Sequence, residues 1–71
     1  MSIFNRSVPY DDIYQVAKDK VHQVTYKGEY IDRYTLLQYI YTYYISKRGS
    51  VDLHDAMDVV ERFHMSGEIK A

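Results

Sequence analysis

Four acidic residues follow one another at a constant spacing of three in the last third of the chain: Asp52, Asp55, Asp58 and Glu61. On an α-helix, which rises roughly 1.5 Å per residue, successive carboxylates would advance about 4.5 Å along the axis. One strand of DNA presents a phosphate about every 3.4 Å. The spacing therefore predicts a local DNA mimic, an acidic helix face that docks on the basic surface of a DNA-binding protein.

The same acids also suit a simpler role, the solvated face of a helix. Asp58 and Arg62 are four residues apart and would form an ordinary surface pair that offsets part of the acidity. Three acids nearer the N-terminus, Asp11, Asp12 and Asp19, would extend an anionic surface if the fold placed them beside the third helix. The sequence leaves both interpretations open.

Nine tyrosines in 71 residues are the second unusual feature. Tyrosine combines a large apolar ring with a polar tip and loses little side-chain entropy when fixed, which favours protein interfaces. The alternative is a core role in which the hydroxyls reach water. Because residues 34–45 are apolar or aromatic around most of a helix, we expect two or three rings to stay exposed. The candidate interface rings are Tyr34, Tyr39, Tyr41, Tyr43 and Tyr44.

Residue types that could support catalysis or metal binding are sparse. His54 and Asp58 are one helical turn apart and His64 follows, but this spacing matches no zinc motif, and His64 falls on a predicted apolar face. The chain has no cysteine, no phosphate-binding glycine loop, no nucleophile elbow and no HExxH sequence. We therefore expect a binding protein that is not an enzyme and that uses no metal and no cofactor.

Hydrophobic periodicity indicates three helices in one small domain spanning residues 1–71. The first is predicted over about residues 9–22, the second over about 32–48 and the third over about 52–65. The second is apolar around so much of its circumference that it must be covered on two sides. The third places Leu53, Ala56, Met57, Val60 and His64 along one face, with Val59 and Phe63 beside it.

The segment between the first two helices is the least regular. Residues 24–31 could form a short β-hairpin that turns at Lys27 and Gly28, or a plain loop. Asp32 is the predicted N-cap of the second helix, and Asp52 or Ser50 is the predicted N-cap of the third. The predicted fold class is mainly α, or α+β if the hairpin forms.

The charge balance argues against direct binding to nucleic acid. Nine basic residues face ten acidic ones, for a net charge of −1, whereas small nucleic-acid binders are usually distinctly basic. Residues 1–49 carry seven bases and five acids, and residues 50–71 carry two bases and five acids, so the C-terminal third is the acidic part. The sequence predicts no membrane span and no secretion signal, and the absence of cysteine fits a cytoplasmic location.

Two alternatives of other classes stay open. Residues 35–63 have the rhythm of a helix, a turn and a helix, and "RGSVDLHDAMDVV" resembles the start of a winged-helix domain, which would imply a DNA-binding transcription regulator. Against it, phosphates would repel the acids of this segment, and a later recognition helix would have to begin near Ser66. A structural subunit of an oligomeric assembly is the other alternative. The bases that a regulator would use are Arg6, Lys18, Lys20, Lys27, Arg33, Lys47 and Arg48.

The whole chain resembles, in size and style, the small host-takeover proteins of large lytic bacteriophages, which are short, free of cysteine, rich in tyrosine and mildly acidic. Several of those proteins bind and disable one host protein, and some imitate DNA to block RNA polymerase, nucleoid proteins or repair enzymes. The residues that match the DNA-imitating members are Asp52, Asp55, Asp58 and Glu61. Such members are often far more acidic, so imitation here would be confined to one face. The resemblance implies a phage-encoded inhibitor or modulator of a basic host protein, with the tyrosines supplying a homodimer contact or an anchor.

Overall fold

The computed structural model describes residues 8–70, in which three helices pack side by side. In chain order they are α1 (Tyr10–Tyr26), α2 (Arg33–Arg48) and α3 (Leu53–Met65). Within residues 8–70 no strand forms, and the chain makes an isolated parallel bridge between Asp32 and Lys70. The prediction of a mainly α fold with three helices is confirmed.

The hairpin predicted over residues 24–31 is not formed. α1 instead continues to Tyr26, because Val24 lies at helical spacing from the buried residues before it and packs against the core. The Lys-Gly pair ends the helix: Gly28 has a φ of 83°, and the amide of Glu29 donates to the carbonyl of Val24 at 3.2 Å. Glycine favours this hydrogen-bond pattern directly after a helix. The pair is therefore a helix stop rather than a hairpin turn.

Both predicted N-caps are confirmed, and they fix where the next two helices begin. A side-chain oxygen of Asp32 accepts a hydrogen bond from the amide of Thr35 at 2.8 Å. A side-chain oxygen of Asp52 accepts from the amides of His54 at 2.9 Å and Asp55 at 3.4 Å. Each carboxylate satisfies amides that have no partner inside the helix, and its negative charge suits the positive end of the helix dipole.

The core lies along the line where the three helices meet. Phe63 stacks on Tyr14 with the ring centroids 5.0 Å apart, which joins α3 to α1. The buried residues among 8–70 are all aliphatic or aromatic, so hydrophobic burial is the main source of stability. The buried residues are Val8, Ile13, Ala17, Val21, Ile31, Leu36, Ile40, Tyr44, Ala56, Val59, Val60, Phe63 and Ile69.

α2 runs antiparallel to both of its neighbours. Arg33, at the start of α2, is bonded to Glu61 near the end of α3. Tyr44, near the end of α2, lines the same depression as Asp12 in the first turn of α1. α2 therefore has two flanks, one toward α1 and one toward α3, as its wide apolar circumference required.

Candidate partner-binding surfaces

The acids of α3 are largely engaged by other parts of the chain. Asp58 accepts a hydrogen bond from the Tyr10 hydroxyl at 2.5 Å. Glu61 forms an ion pair with Arg33 at 2.9 Å, and Asp55 is half-buried. Together with the capping role of Asp52, three of the four predicted carboxylates thus have partners inside the molecule. They keep their negative charge but do not form a free ladder.

The contact between Tyr10 and Asp58 ties α1 to α3. Burial raises the pKa of the Tyr10 hydroxyl, and the hydrogen bond to Asp58 raises this pKa further, so the phenol stays protonated as a donor. Arg62, which we expected to pair with Asp58, lies instead over the Tyr10 ring, with its guanidinium carbon 5.9 Å from the ring centroid. Tyr10 therefore contacts both Asp58, through its hydroxyl, and Arg62, through its ring.

The acids of α1 do not continue the acidic face of α3. Asp12 and Asp19 line a depression of about 360 Å³ between α1 and α2, opposite the basic residues Lys47 and Arg48. Asp11 is exposed in the first turn of α1. Since the acids in the depression face bases, this part of the surface has mixed charge.

The five tyrosines predicted as one interface occupy three environments. The side chain of Tyr34 is 73 % exposed and that of Tyr41 is 46 % exposed, both on the flank of α2 next to α3. Tyr39 and Tyr43 are half-buried on the flank next to α1. Tyr44 is only 4 % exposed and belongs to the core, where burial raises the pKa of its hydroxyl. A partner can therefore reach Tyr34 and Tyr41 most directly.

On the α1 flank, lysine side chains cover the tyrosine rings. The Nζ atom of Lys20 lies 4.8 Å from the ring centroid of Tyr39, and that of Lys47 lies 5.3 Å from that of Tyr43. The two rings are themselves 6.2 Å apart. Each lysine adds a cation–π attraction and spreads its aliphatic stem over apolar area. We call Val16, Lys20, Tyr39, Tyr43 and Lys47 the α1–α2 seam.

On the α3 flank, large apolar side chains remain exposed. Positions 34, 37, 41 and 45 form one stripe along α2, because they recur at helical spacing. Leu53 and Met57 of α3 lie beside this stripe and are 46 % and 50 % exposed. We call the following six residues the α2–α3 surface: Tyr34, Leu37, Tyr41, Ile45, Leu53 and Met57.

The α2–α3 surface contains a shallow depression of about 280 Å³ between the start of α2 and the second half of α3. Arg33 and Glu61 border it, with side chains that are 47 % and 49 % exposed. His64 lies below the pair: its Nδ1 atom is buried without a hydrogen-bond partner and sits 3.7 Å from Glu61. The residues that line the depression are Arg33, Tyr34, Leu37, Met57, Val60 and Glu61.

Leu53 and Met57 lie on the predicted apolar face of α3 but are exposed rather than part of the core. α3 buries Val59 and Phe63 in its centre, which turns Leu53 and Met57 to the edge of the apolar face. A signal was present: the apolar arc from Val59 to Met57 covers about 160° at 100° per residue, and a surface helix usually buries a stripe a little over 100° wide. One edge of so wide an arc had to remain outside.

Several bases that a DNA-binding regulator would use are also engaged. Lys20 and Lys47 cover tyrosine rings, and Arg33 is bonded to Glu61. Arg6 lies outside the described residues. Three of the seven bases are therefore engaged within the molecule.

Among residues 8–70, no three histidine or acidic side chains come together in a way that could hold a metal ion. Nor does any helix of this region have the length and apolar character needed to cross a membrane. The α2–α3 surface is thus the strongest candidate site in the part of the chain that the structure describes.

Comparison of the chain with protein-family models, with curated proteins and with solved structures gave no match.

Proposed function

We propose that this chain is a non-enzymatic protein-binding modulator and that the α2–α3 surface is its contact. One observation carries the proposal: five of the six large apolar side chains on this surface are at least 40 % exposed, and Tyr34, Leu37 and Met57 of this set line one depression. Single exposed apolar residues are ordinary on a monomer, whereas a contiguous group marks a binding site. The α1–α2 seam, where lysines cover the rings, shows how the same chain closes a flank that needs no partner.

The residue types on the surface support a protein as the ligand. Tyr34 and Tyr41 offer rigid rings with polar tips, and Met57 offers a flexible side chain that adapts to irregular partners. Tyrosine is among the residues that dominate binding energy at protein interfaces, where truncation commonly costs more than about 1 kcal/mol. The depression beside Tyr34 gives a partner side chain a place to insert.

The charge beside the surface favours a basic partner. α3 and its cap carry four acids and one arginine. The carboxylates bonded to Tyr10 and Arg33 still contribute negative field, so they act on a partner through attraction and orientation rather than as an open ladder. With the resemblance to host-takeover proteins, this supports a DNA-binding host protein as the target and exclusion of DNA as the means of inhibition.

Affinity capture from a bacterial lysate tests the apolar contact. The immobilised wild type should retain one host protein, and the variant with Tyr34→Ser and Tyr41→Ser should lose it. Tyr26→Ser is the matched control, since that ring is 94 % exposed on α1, outside the proposed surface. Circular dichroism confirms that all three chains are helical. Equal retention by the double variant would contradict the proposed contact.

A second capture tests the charge. Asp55→Asn, Asp58→Asn and Glu61→Gln together should weaken binding and flatten its dependence on salt, because fewer charges are screened. Asp52 is left intact because it caps α3. Glu29→Gln, in the exposed segment before α2, is the control. An unchanged affinity and salt dependence would remove the electrostatic part of the proposal.

A gel shift separates this proposal from the DNA-binding alternative. The purified chain should leave bulk DNA unshifted at moderate salt, whereas a regulator that binds phosphate would retard it. A clear shift at moderate salt would favour the regulator.

A further inference from the structure

We infer that a second copy of this chain docks on the α2–α3 surface, with α2 of each copy packed against α3 of the other. The inference rests on the proposed binding role of that surface: the second copy covers it in the free protein, and a host protein that binds there displaces that copy. The resulting core would contain four helices, each antiparallel to its neighbours, as in a common type of helix bundle. Three observations carry it: the exposed area, the charges of the two helices and their alignment.

The exposed apolar area matches what a small homodimer needs. At about 200 Å² for a large residue, the exposed fractions of 40–73 % on five residues leave roughly 500 Å² of exposed area per copy, most of it apolar. A standard interface buries about 800 Å² on each partner, and homodimer interfaces are about 65 % apolar. The α2–α3 surface supplies most of that apolar share, and the residues around it supply the rest.

The two helices carry opposite charges, which decides how the copies face each other. α2 contains three bases, Arg33, Lys47 and Arg48, and no acid. α3 contains three acids and one base within Leu53–Met65. Packing α2 on α2 of the partner would oppose bases to bases, whereas packing α2 on the partner's α3 brings opposite charges together.

The alignment of the helices makes that arrangement self-complementary. Arg33 is level with Glu61, to which it is bonded. Because both helices rise equally per residue and run antiparallel, Tyr41 is level with Leu53, two turns further along. A two-fold axis parallel to the helices keeps these levels and sets α2 of each copy beside α3 of the other. Arg33 of one copy then faces Glu61 of the other, and the same exchange places Tyr41 opposite Leu53.

Sedimentation equilibrium tests the second copy. Between about 5 and about 500 µM, a range that spans micromolar association, the wild type and Tyr26→Ser should pass from monomer to dimer. Tyr41→Ser combined with Met57→Ser should raise the dimer dissociation constant at least tenfold while keeping the helical circular dichroism. A wild type that stays monomeric throughout would overturn the inference, as would a double variant that dimerises equally well.

Charge reversal tests the cross-copy pair in the same assay. Glu61→Arg opposes two guanidinium groups across the axis and should weaken the dimer. Adding Arg33→Glu restores opposite charges and should recover it. A double reversal that dimerises no better than Glu61→Arg alone would overturn the pairing.

Disulfide crosslinking tests the orientation, because the chain has no cysteine of its own. A mixture of Tyr41→Cys and Leu53→Cys chains should crosslink faster than either chain alone. Faster self-crosslinking of Tyr41→Cys would place α2 on α2 and overturn the arrangement.

Different results would contradict the proposed function and the proposed dimer. A monomeric chain whose capture of a host protein still depends on Tyr34 and Tyr41 overturns the second copy and leaves the binding role standing. A dimer that captures host protein equally with and without those rings overturns the binding role and leaves the second copy standing.

Discussion

Tyrosines on the two flanks of α2 have opposite roles. On the α1 flank, Tyr39 and Tyr43 are half-buried beneath Lys20 and Lys47. On the α3 flank, Tyr34 stands 73 % exposed beside other apolar side chains. The chain thus closes one flank with its own lysines and leaves the other flank open.

Because tyrosines on the two flanks differ in this way, tyrosine content alone does not define an interface in this chain. On the α1–α2 seam, a lysine side chain packs over each tyrosine ring of α2, so these rings stabilise the fold and are not free to bind a partner. A tyrosine of α2 becomes available to a partner when the facing helix places Leu53 and Met57 beside it instead. The residues that pack beside each tyrosine of α2 therefore decide whether its ring is covered or exposed.

The largest effect is expected from the core ring between the flanks. Tyr44→Ala should lower the free energy of unfolding by about 3–5 kcal/mol, because it leaves a cavity where a buried aromatic ring packs against Tyr43. Tyr41→Ala, on the open flank, should change it by less than about 0.5 kcal/mol. Urea denaturation followed by circular dichroism measures both, and similar costs would erase the contrast between a closed and an open environment.

Binding should reverse that order for the exposed ring. With the captured partner purified, Tyr41→Ala should weaken its affinity tenfold or more, which corresponds to about 1.4 kcal/mol. Tyr39→Ala, on the α1–α2 seam, should change the affinity by less than about twofold while it destabilises the fold. Titration calorimetry on folded variants gives both affinities. A larger loss from Tyr39→Ala would mean that the closed flank is the binding flank.

The lysines of the seam should contribute a smaller amount. Lys20→Ala should lower the free energy of unfolding by about 0.5–1 kcal/mol, because it removes the cation from the Tyr39 ring. Lys18→Ala is the control, since Lys18 is exposed on the same helix. Equal effects of the two substitutions would show that the cover over Tyr39 adds no stability.

The smallest effect concerns pH and acts where both flanks begin. Hydrogen bonds from the side chain and the amide of Thr35 lower the pKa of Asp32 below its ordinary value of 3.8. A lowered folded-state pKa stabilises the fold above pH 3.8, and that stabilisation is lost as the pH falls through the folded value. Asn caps helices well but does not titrate in this range, so Asp32→Asn should lose less stability below pH 3.8. Identical acid unfolding curves for the two chains would contradict this role of Asp32.

Most of the fold could be predicted because its signals are local. Asp32 and Asp52 were predictable as caps, since a carboxylate before an apolar periodic run satisfies the first free amides of a helix. The sequence left the segment after α1 open between a hairpin and a loop, because β-branched Val24 and the Lys-Gly pair fit either a hairpin or a helix end. Tertiary packing decided between them by burying part of Val24 at helical spacing.

The candidate site was only half predictable, because it depends on contacts between helices. Tyr34 and Tyr41 followed from the surplus of apolar residues around α2, but Leu53 and Met57 were placed only on the apolar face of α3, and their exposure was not predicted. Their exposure depends on the rotation of α3 that buries Phe63 against Tyr14 of α1. The sequence of α3 alone does not contain that contact.

Two methionines of α3 can report directly on whether a partner binds the α2–α3 surface. Met57 belongs to the α2–α3 surface and is 50 % exposed, whereas Met65 is 83 % exposed and lies outside that surface. NMR of methyl-labelled methionine, recorded while the captured host protein is added, reports on both at once. The Met57 signal should shift or broaden while the Met65 signal stays in place. A titration in which Met65 responds and Met57 does not would contradict the claim that the open flank of α2 and α3 is where the partner binds.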